Sequence, residues 1–320
     1  MSWITMKNVA FLTLAIILVP LPFYSSPVIT DWCLRISSLM ILSISWNLAA
    51  NAGLVSLGHS AFWGLGTYAA ILTANMLGLS FLESILPSII IGMLVGSILA
   101  IITGRLRGFF FAISTLAMSE GLRVIAVMTP DVTGGGEGLY INQALRPNSE
   151  TIASTAIFAA FVVFAISWGL FRSRYHYAFR AMRNNEQASQ MFGINPRAFR
   201  IGVLAVSGGM ASLGGGINVW FGGFVDPNIA YDLHITILAQ VAPVLGGIYT
   251  LVGPVVGSFV AIGISEATRI WFGSSGFSLF IYGFILCVFI LYLPSGIWGG
   301  FCRLWRKHVL KTDNLAEVRK

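Results

Sequence analysis

Arg172-Ser-Arg-Tyr-His-Tyr-Ala-Phe-Arg180-Ala-Met-Arg183-Asn-Asn-Glu186-Gln-Ala188-Ser-Gln-Met191-Phe-Gly193-Ile-Asn-Pro-Arg197 is a basic, helix-prone stretch lying between two long apolar runs. A chain that keeps one structured polar loop between hydrophobic segments presents it to something soluble. Hydrophobic residues make up 56% of the sequence, charged residues 10%, and mean hydropathy is +0.82. A soluble domain carries about 25% charge. Several apolar runs reach the roughly 20 residues that cross a bilayer core of about 30 Å. They are continuous, without the alternation of a membrane β-barrel. The chain is read as an all-α polytopic integral membrane protein.

Spans are expected at 9–24, 31–50, 61–77, 84–103, 109–128, 152–171, 199–222, 234–249, 251–270 and 277–294, about 8–10 transmembrane helices in all. Broken or re-entrant segments are expected near 51–66 and 246–257. Residues 1–302 are read as one transmembrane domain with the polar loop at 172–200, and 303–320 as a short basic tail. Lys7 and the run Val9–Val19 look like a signal peptide, but no small-x-small cleavage site follows, so an uncleaved first span is expected.

Charge orients these spans. With the N-terminus inside, one side collects Lys7, Arg105, Arg107, the arginines of 172–200 and the basic tail. Only Arg35, Arg123, Arg146 and Arg269 of the 19 basic residues lie elsewhere. Asp31, Glu83, Asp131, Glu137, Glu150, Asp226 and Asp232 gather on the other side. This obeys the positive-inside rule and places the loop and both termini in the cytoplasm. The net charge of +7 therefore reports topology and contact with anionic membrane lipid, not nucleic acid.

No enzymatic chemistry emerges. None of the four lysines follows a glycine, so the chain lacks a P-loop. Gly273-Ser-Ser-Gly276 resembles the nucleophile turn of intramembrane serine proteases, yet the neighbouring run Phe277–Pro294 has no histidine to serve as base. An external loop is the better account. His59, His176, His234 and His308 show no metal-ligand spacing, nor do Cys33, Cys287 and Cys302. No catalytic or metal-binding residue is expected.

Transport remains. Asn51-Ala-Gly-Leu-Val-Ser56-Leu-Gly-His59-Ser-Ala-Phe-Trp-Gly-Leu-Gly66 is polar and glycine-rich at membrane depth, where irregular backbone survives only inside protein or beside a water-filled cavity. Gly246-Gly-Ile-Tyr-Thr-Leu-Val-Gly-Pro254-Val-Val-Gly257 echoes its pattern, and paired broken helices often flank a substrate path. Close packing through small residues explains the same glycines. Glu120 with Arg123, and Glu266 with Arg269, sit three apart inside spans. They are read first as self-neutralising pairs that hold helices together, with a path for a zwitterion as the alternative. His59 is read as a packed, hydrogen-bonded histidine. Asn51, Ser56, His59, Glu120, Arg123 and Glu266 are the candidate path residues.

Within the loop, Ala178 to Phe192 is rich in helix formers, with Phe179 and Met182 on one face and Ala188, Met191 and Phe192 on a later one. Gly193 suits the left-handed residue that ends a helix. Asn195 can cap the next helix, with Pro196 at its first position. Apolar residues on a short cytoplasmic helix call for a receiving groove or for the lipid surface.

These residues carry a resemblance. Arg180 to Asn195 resembles the coupling-loop motif of ABC importer permeases, in the version of the branched-chain amino acid permease family (the LivM-type subunit). Asn51 to Gly66, Leu106 to Glu120, Thr133-Gly-Gly-Gly-Glu-Gly-Leu139, Ala242 to Gly257 and Tyr292-Leu-Pro-Ser-Gly-Ile-Trp298 agree in the family's order, covering roughly 30–300. The resemblance implies a second related permease subunit, two cytoplasmic ATPase subunits, a periplasmic substrate-binding protein and residence in the bacterial inner membrane. No cofactor is implied for this chain, since ATP and Mg belong to the ATPase. By analogy Arg180, Arg183, Glu186, Ala188, Met191 and Gly193 couple to the ATPase, with Glu186 contacting it and Gly193 setting the turn. Ser189 stands where relatives often carry alanine. Branched-chain or other hydrophobic amino acids are the implied substrate. Urea, amides and aromatic carboxylates are alternatives within the class, and a self-sufficient carrier or channel is the rival outside it.

Overall fold

The computed structural model describes residues 13–273, 276–292 and 296–300. The basic tail 303–320, the start of the first expected span, Ser274-Ser275 and the segment 293–295 lie outside the described residues. The architecture is all-α: α1 Pro27–Asn51, α2 His59–Leu77, α3 Phe81–Ile102, α4 Gly108–Met128, α5 Ser149–Arg172, α6 Arg174–Asn184, α7 Glu186–Met191, α8 Pro196–Gly222, α9 Leu233–Gly246, α10 Gly253–Phe272 and α11 Gly276–Tyr292. Seven described stretches are long and apolar enough to cross a membrane: Pro27–Asn51, Phe81–Ile102, Gly108–Met128, Ser149–Arg172, Pro196–Gly222, Pro227–Gly246 and Gly253–Phe272. The other three expected spans are helical over Thr13–Tyr24, His59–Leu77 and Gly276–Tyr292.

The chain divides into two compact units, residues 1–239 and 240–320. In the first, α8 is central and packs on α3, α2 and α1, while α5 covers α1. Lipid supplies no hydrophobic force between spans, so small residues and hydroxyls must hold them. A Cβ on Gly66 would stand 2.0 Å from the Ser212 carbonyl oxygen, and one on Gly92 2.5 Å from that of Gly208. Any larger residue there separates the helices. Hydroxyls bond across the same contacts: Ser88 Oγ donates to the Gly66 carbonyl (2.9 Å) and Ser212 Oγ to that of Phe62 (2.6 Å). The indole of the fully buried Trp220 donates to Ser84 Oγ at 3.0 Å.

Both expected breaks are shorter than the sequence suggested. The first occupies 52–58, and His59 to Gly66 is already regular helix. In the second unit the break is confined to 247–252, because α10 begins at Gly253. There Thr250 Oγ1 donates to the Gly247 carbonyl (2.7 Å) and accepts from the Gly253 amide (2.9 Å). α10 packs against α11 in this unit.

Each end of the first unit is tied differently. At one end the two-residue strands β1 Leu139–Tyr140 and β2 Phe224–Val225 pair antiparallel, Leu139 opposite Val225, a feature the apolar pattern did not announce. Asn75 Nδ2 donates to the Tyr140 carbonyl (2.8 Å), and Arg146 donates to the carbonyls of Trp220 and Phe221. The opposite end carries α6 and α7.

Candidate functional site

Ser173 opens α6 by accepting a hydrogen bond from the Tyr175 amide (3.2 Å). Ala178, Phe179 and Met182 are buried on the inner face of α6, with Phe179 edge-on to Phe199 of α8. The expected single helix over 178–192 is in fact two. Asn185 is extended (φ −159°) and its Oδ1 accepts from the Ala188 amide at 3.0 Å, ending α6 and capping α7. Asparagine competes with helix continuation in this way. Gly193 then adopts φ +76°, the left-handed conformation that favours glycine. Asn195 Oδ1 accepts from the Ala198 amide (3.3 Å), and Pro196 begins α8.

The candidate coupling residues divide between two sides of this segment. Arg180, Ala188, Met191 and Gly193 are exposed, Met191 at 87% and its neighbour Phe192 at 84%. Arg183 is half-buried, its Cα close beside Gly53. Glu186 points inward. Its Oε2 receives Arg107 Nε at 3.0 Å and Arg200 Nη2 at 2.8 Å. Arg200 is 4% exposed and its Nη1 donates to the carbonyls of Leu106 (2.8 Å) and Thr103 (3.4 Å). One carboxylate thus joins α7, the α3–α4 loop and the first turns of α8. Ser189 is also internal, its hydroxyl donating to the Glu186 carbonyl at 2.7 Å. A polar cleft of about 540 Å³ runs alongside, between Arg105, Arg107, Gln190 and Arg197.

The intramembrane candidates form a second constellation. Asn51, Ser56 and His59 are fully buried. Asn51 Nδ2 donates to the Asn47 carbonyl (2.8 Å), the Ser56 carbonyl accepts from Trp46 Nε1 (2.8 Å), and His59 Nε2 meets Ser207 Oγ at 3.1 Å. The Leu57 amide donates to Thr115 Oγ1 (2.9 Å) and the Ser60 amide to Thr236 Oγ1 (2.9 Å). Ser60 Oγ also meets Ser119 Oγ at 2.8 Å. Side chains of α1 and α4 thus meet backbone groups of the 52–58 segment, and Thr236 of α9 meets the first turn of α2, as burial demands.

Glu120 and Arg123 pair on an exposed face of α4, and Arg123 Nη1 also donates to Asn228 Oδ1 at 2.8 Å. In the second unit Glu266 is buried and receives Arg269 Nη2 at 2.6 Å. Among the described residues no cluster of three or more His, Cys, Asp or Glu could hold a metal ion.

Sequence reading did not single out Arg107, Arg200, Ser119, Ser207 or Thr236. Arg200 carried a signal, since it lies just inside an expected span, where a charge needs a partner. The hydroxyls carried none beyond their polarity in apolar runs.

A family model described as branched-chain amino acid transport system / permease component matches residues 28–290. The high-affinity branched-chain amino acid transport system permease protein LivM of Escherichia coli is 23% identical, covering 92% of this chain and 75% of that protein. A probable branched-chain amino acid transport permease protein LivM of Methanocaldococcus jannaschii is 24% identical over 69% of this chain and 68% of its own length. The nucleoside ABC transporter permease protein NupC of Lactococcus lactis is 26% identical, covering 89% of this chain and 94% of that protein. No solved structure matches the chain.

Proposed function

We propose that this chain, which belongs to the branched-chain amino acid transport system permease family, carries branched-chain amino acids. Members of the family are membrane permease subunits of ABC importers, not themselves enzymes, and this chain is one of them. The amino-acid reading is supported by the two LivM relatives, which carry that substrate in their names. The nucleoside permease, covered over 94% of its length, favours a nucleoside as the second reading.

One observation carries the mechanism. The apolar surface of Ala188, Met191 and Phe192 projects outward from a helix whose opposite side is fixed by Glu186. A short helix with an exposed apolar face suits a groove on a partner. In our reading that partner is an ATPase subunit. A second related permease completes the channel, two ATPase subunits dock on the cytoplasmic face, and a binding protein delivers substrate on the other. Closure of the ATPases pushes α7. Glu186 passes the push to Arg200 and the 103–107 loop, and α8 moves together with the helices locked to it. Such rigid-body shifts switch packed interfaces between discrete arrangements.

Co-purification tests this reading. Tagged chain bearing Met191→Asp and Phe192→Asp should melt like wild type, because both side chains are exposed, yet lose the ATPase. Retention of the ATPase by that variant would sink the docking surface. Uptake into proteoliposomes holding the whole complex should follow labelled leucine, isoleucine or valine. Uptake of nucleosides instead would replace the substrate assignment.

A further inference from the structure

Beneath α6 lies an apolar groove of about 300 Å³, within the size range of small-molecule sites. Leu48, Phe179 and Val203 form its buried floor, and Leu170, Phe199 and Val206 its half-buried walls. Its rim includes Gly202, which is exposed, and a Cβ built there meets nothing within 4 Å. Three of the elements that line it, α1, α5 and α8, are apolar enough to span a membrane. The outer face of α5 exposes Phe158, Val162 and Ile166.

Positive charge stands where α5 gives way to α6. Arg172 and Arg174 are exposed there, the Arg172 guanidinium lying 4.5 Å above the Trp168 ring and that of Arg174 5.8 Å from the Tyr175 ring. Aromatic rings beside arginines mark the headgroup level of a bilayer. An apolar slot opening among span-length helices, with two cations beside it, complements an amphiphile with an anionic head.

We infer that this groove holds one acyl chain of an anionic phospholipid, whose headgroup rests on Arg172 and Arg174. The hydrocarbon lining suits a lipid tail, and the arginines select the head. A lipid seated there is a wedge under the inner face of α6, so bilayer composition bears on how firmly α6 and α7 are held. The site is formed by this chain alone and stands whether or not the transported substrate is an amino acid.

Native mass spectrometry of the full detergent-purified chain tests it, with dioleoyl-phosphatidylglycerol and dioleoyl-phosphatidylcholine offered in equal amounts. Wild type should retain one phosphatidylglycerol in preference to phosphatidylcholine. Gly202→Leu should fill the groove and abolish retention of either lipid. It should still fold, since the position is open and leucine favours helix over glycine. Ala198→Leu, on the same rim, should repeat the effect. Arg172→Gln and Arg174→Gln should each keep a bound lipid but reduce the headgroup preference about fivefold. Undiminished phosphatidylglycerol retention by both filled-groove variants overturns the proposal. So does equal retention of the two lipids by wild type, or capture of a polypeptide by a cross-linker on Gly202→Cys.

Discussion

Arg200 meets Glu186 at 2.8 Å across the Gly193 turn, joining α7 to α8. Arg200 sits within the first turns of a span, while Glu186 opens a loop helix. The pair makes the start of α7 and the root of α8 one mechanical piece. The Arg200 contacts to the carbonyls of Thr103 and Leu106 add the α3–α4 connection to it.

The two arginines on Glu186 should differ in weight. The Arg200 side chain is 5% exposed and that of Arg107 52%. Removing one partner of a buried ion pair costs about 3–5 kcal/mol, whereas an exposed pair is worth about 0–1 kcal/mol. Arg200→Met should therefore lower the melting temperature of the full chain far more than Arg107→Met. The reverse order, seen by thermal unfolding in detergent, would show that Arg200 is not the anchor.

A hydroxyl at Thr236 should be needed for shape-independent reasons. It accepts the Ser60 amide near the buried start of α2 and donates to Ser60 Oγ at 3.0 Å. Thr236→Val keeps the volume but strands that amide, which costs about 1–3 kcal/mol. Thr236→Ser restores an acceptor and should recover much of the loss. Equal melting of the valine variant and wild type would mean that the re-entrant segment is held elsewhere.

Acid should loosen α6 through His176. Burial first, then the charges of Arg180 and Arg183, hold this imidazole below its ordinary value of 6.5. The folded state thus binds the proton more weakly than the unfolded chain. Below about pH 6.5 the unfolded state takes up more protons, so stability is complete above that pH and falls as acid is added. His176→Phe, which keeps a ring against Phe171, should flatten the melting profile between about pH 7 and 5. An unchanged slope in that variant would assign the acid sensitivity to another group.

Local signals were legible in the sequence and long-range ones were not. Gly193, Asn195 and Pro196 act through backbone conformation within a few residues, and each does in the structure what its chemistry predicts. Asn185 obeys the same rules, yet it stands among helix formers, so its capping role was outweighed until its φ was known. Arg107 and Glu186 lie far apart in sequence, and only packing tells which arginine a carboxylate will choose. The candidate path residues show the same limit. Polarity located Asn51, Ser56 and His59 at depth, whereas the bonds that tie Ser56 to α1 and His59 to α8 depend on how neighbouring spans approach.

The ladder between β1 and β2, with Arg146 on the last carbonyls of α8, holds one end of that helix. The other end is gripped through Arg200. On the mechanism proposed above, α8 would turn about the ladder. Some 22 residues of α-helix separate Arg200 from Gly222, about 33 Å at 1.5 Å per residue, so a 3 Å shift at Arg200 tilts α8 by roughly 5° and reaches Ala211 at about half size. On that mechanism the shift would be largest beside Arg200 and smallest at the ladder, so α8 and the helices packed on it would widen or narrow a passage mainly at one of its two mouths.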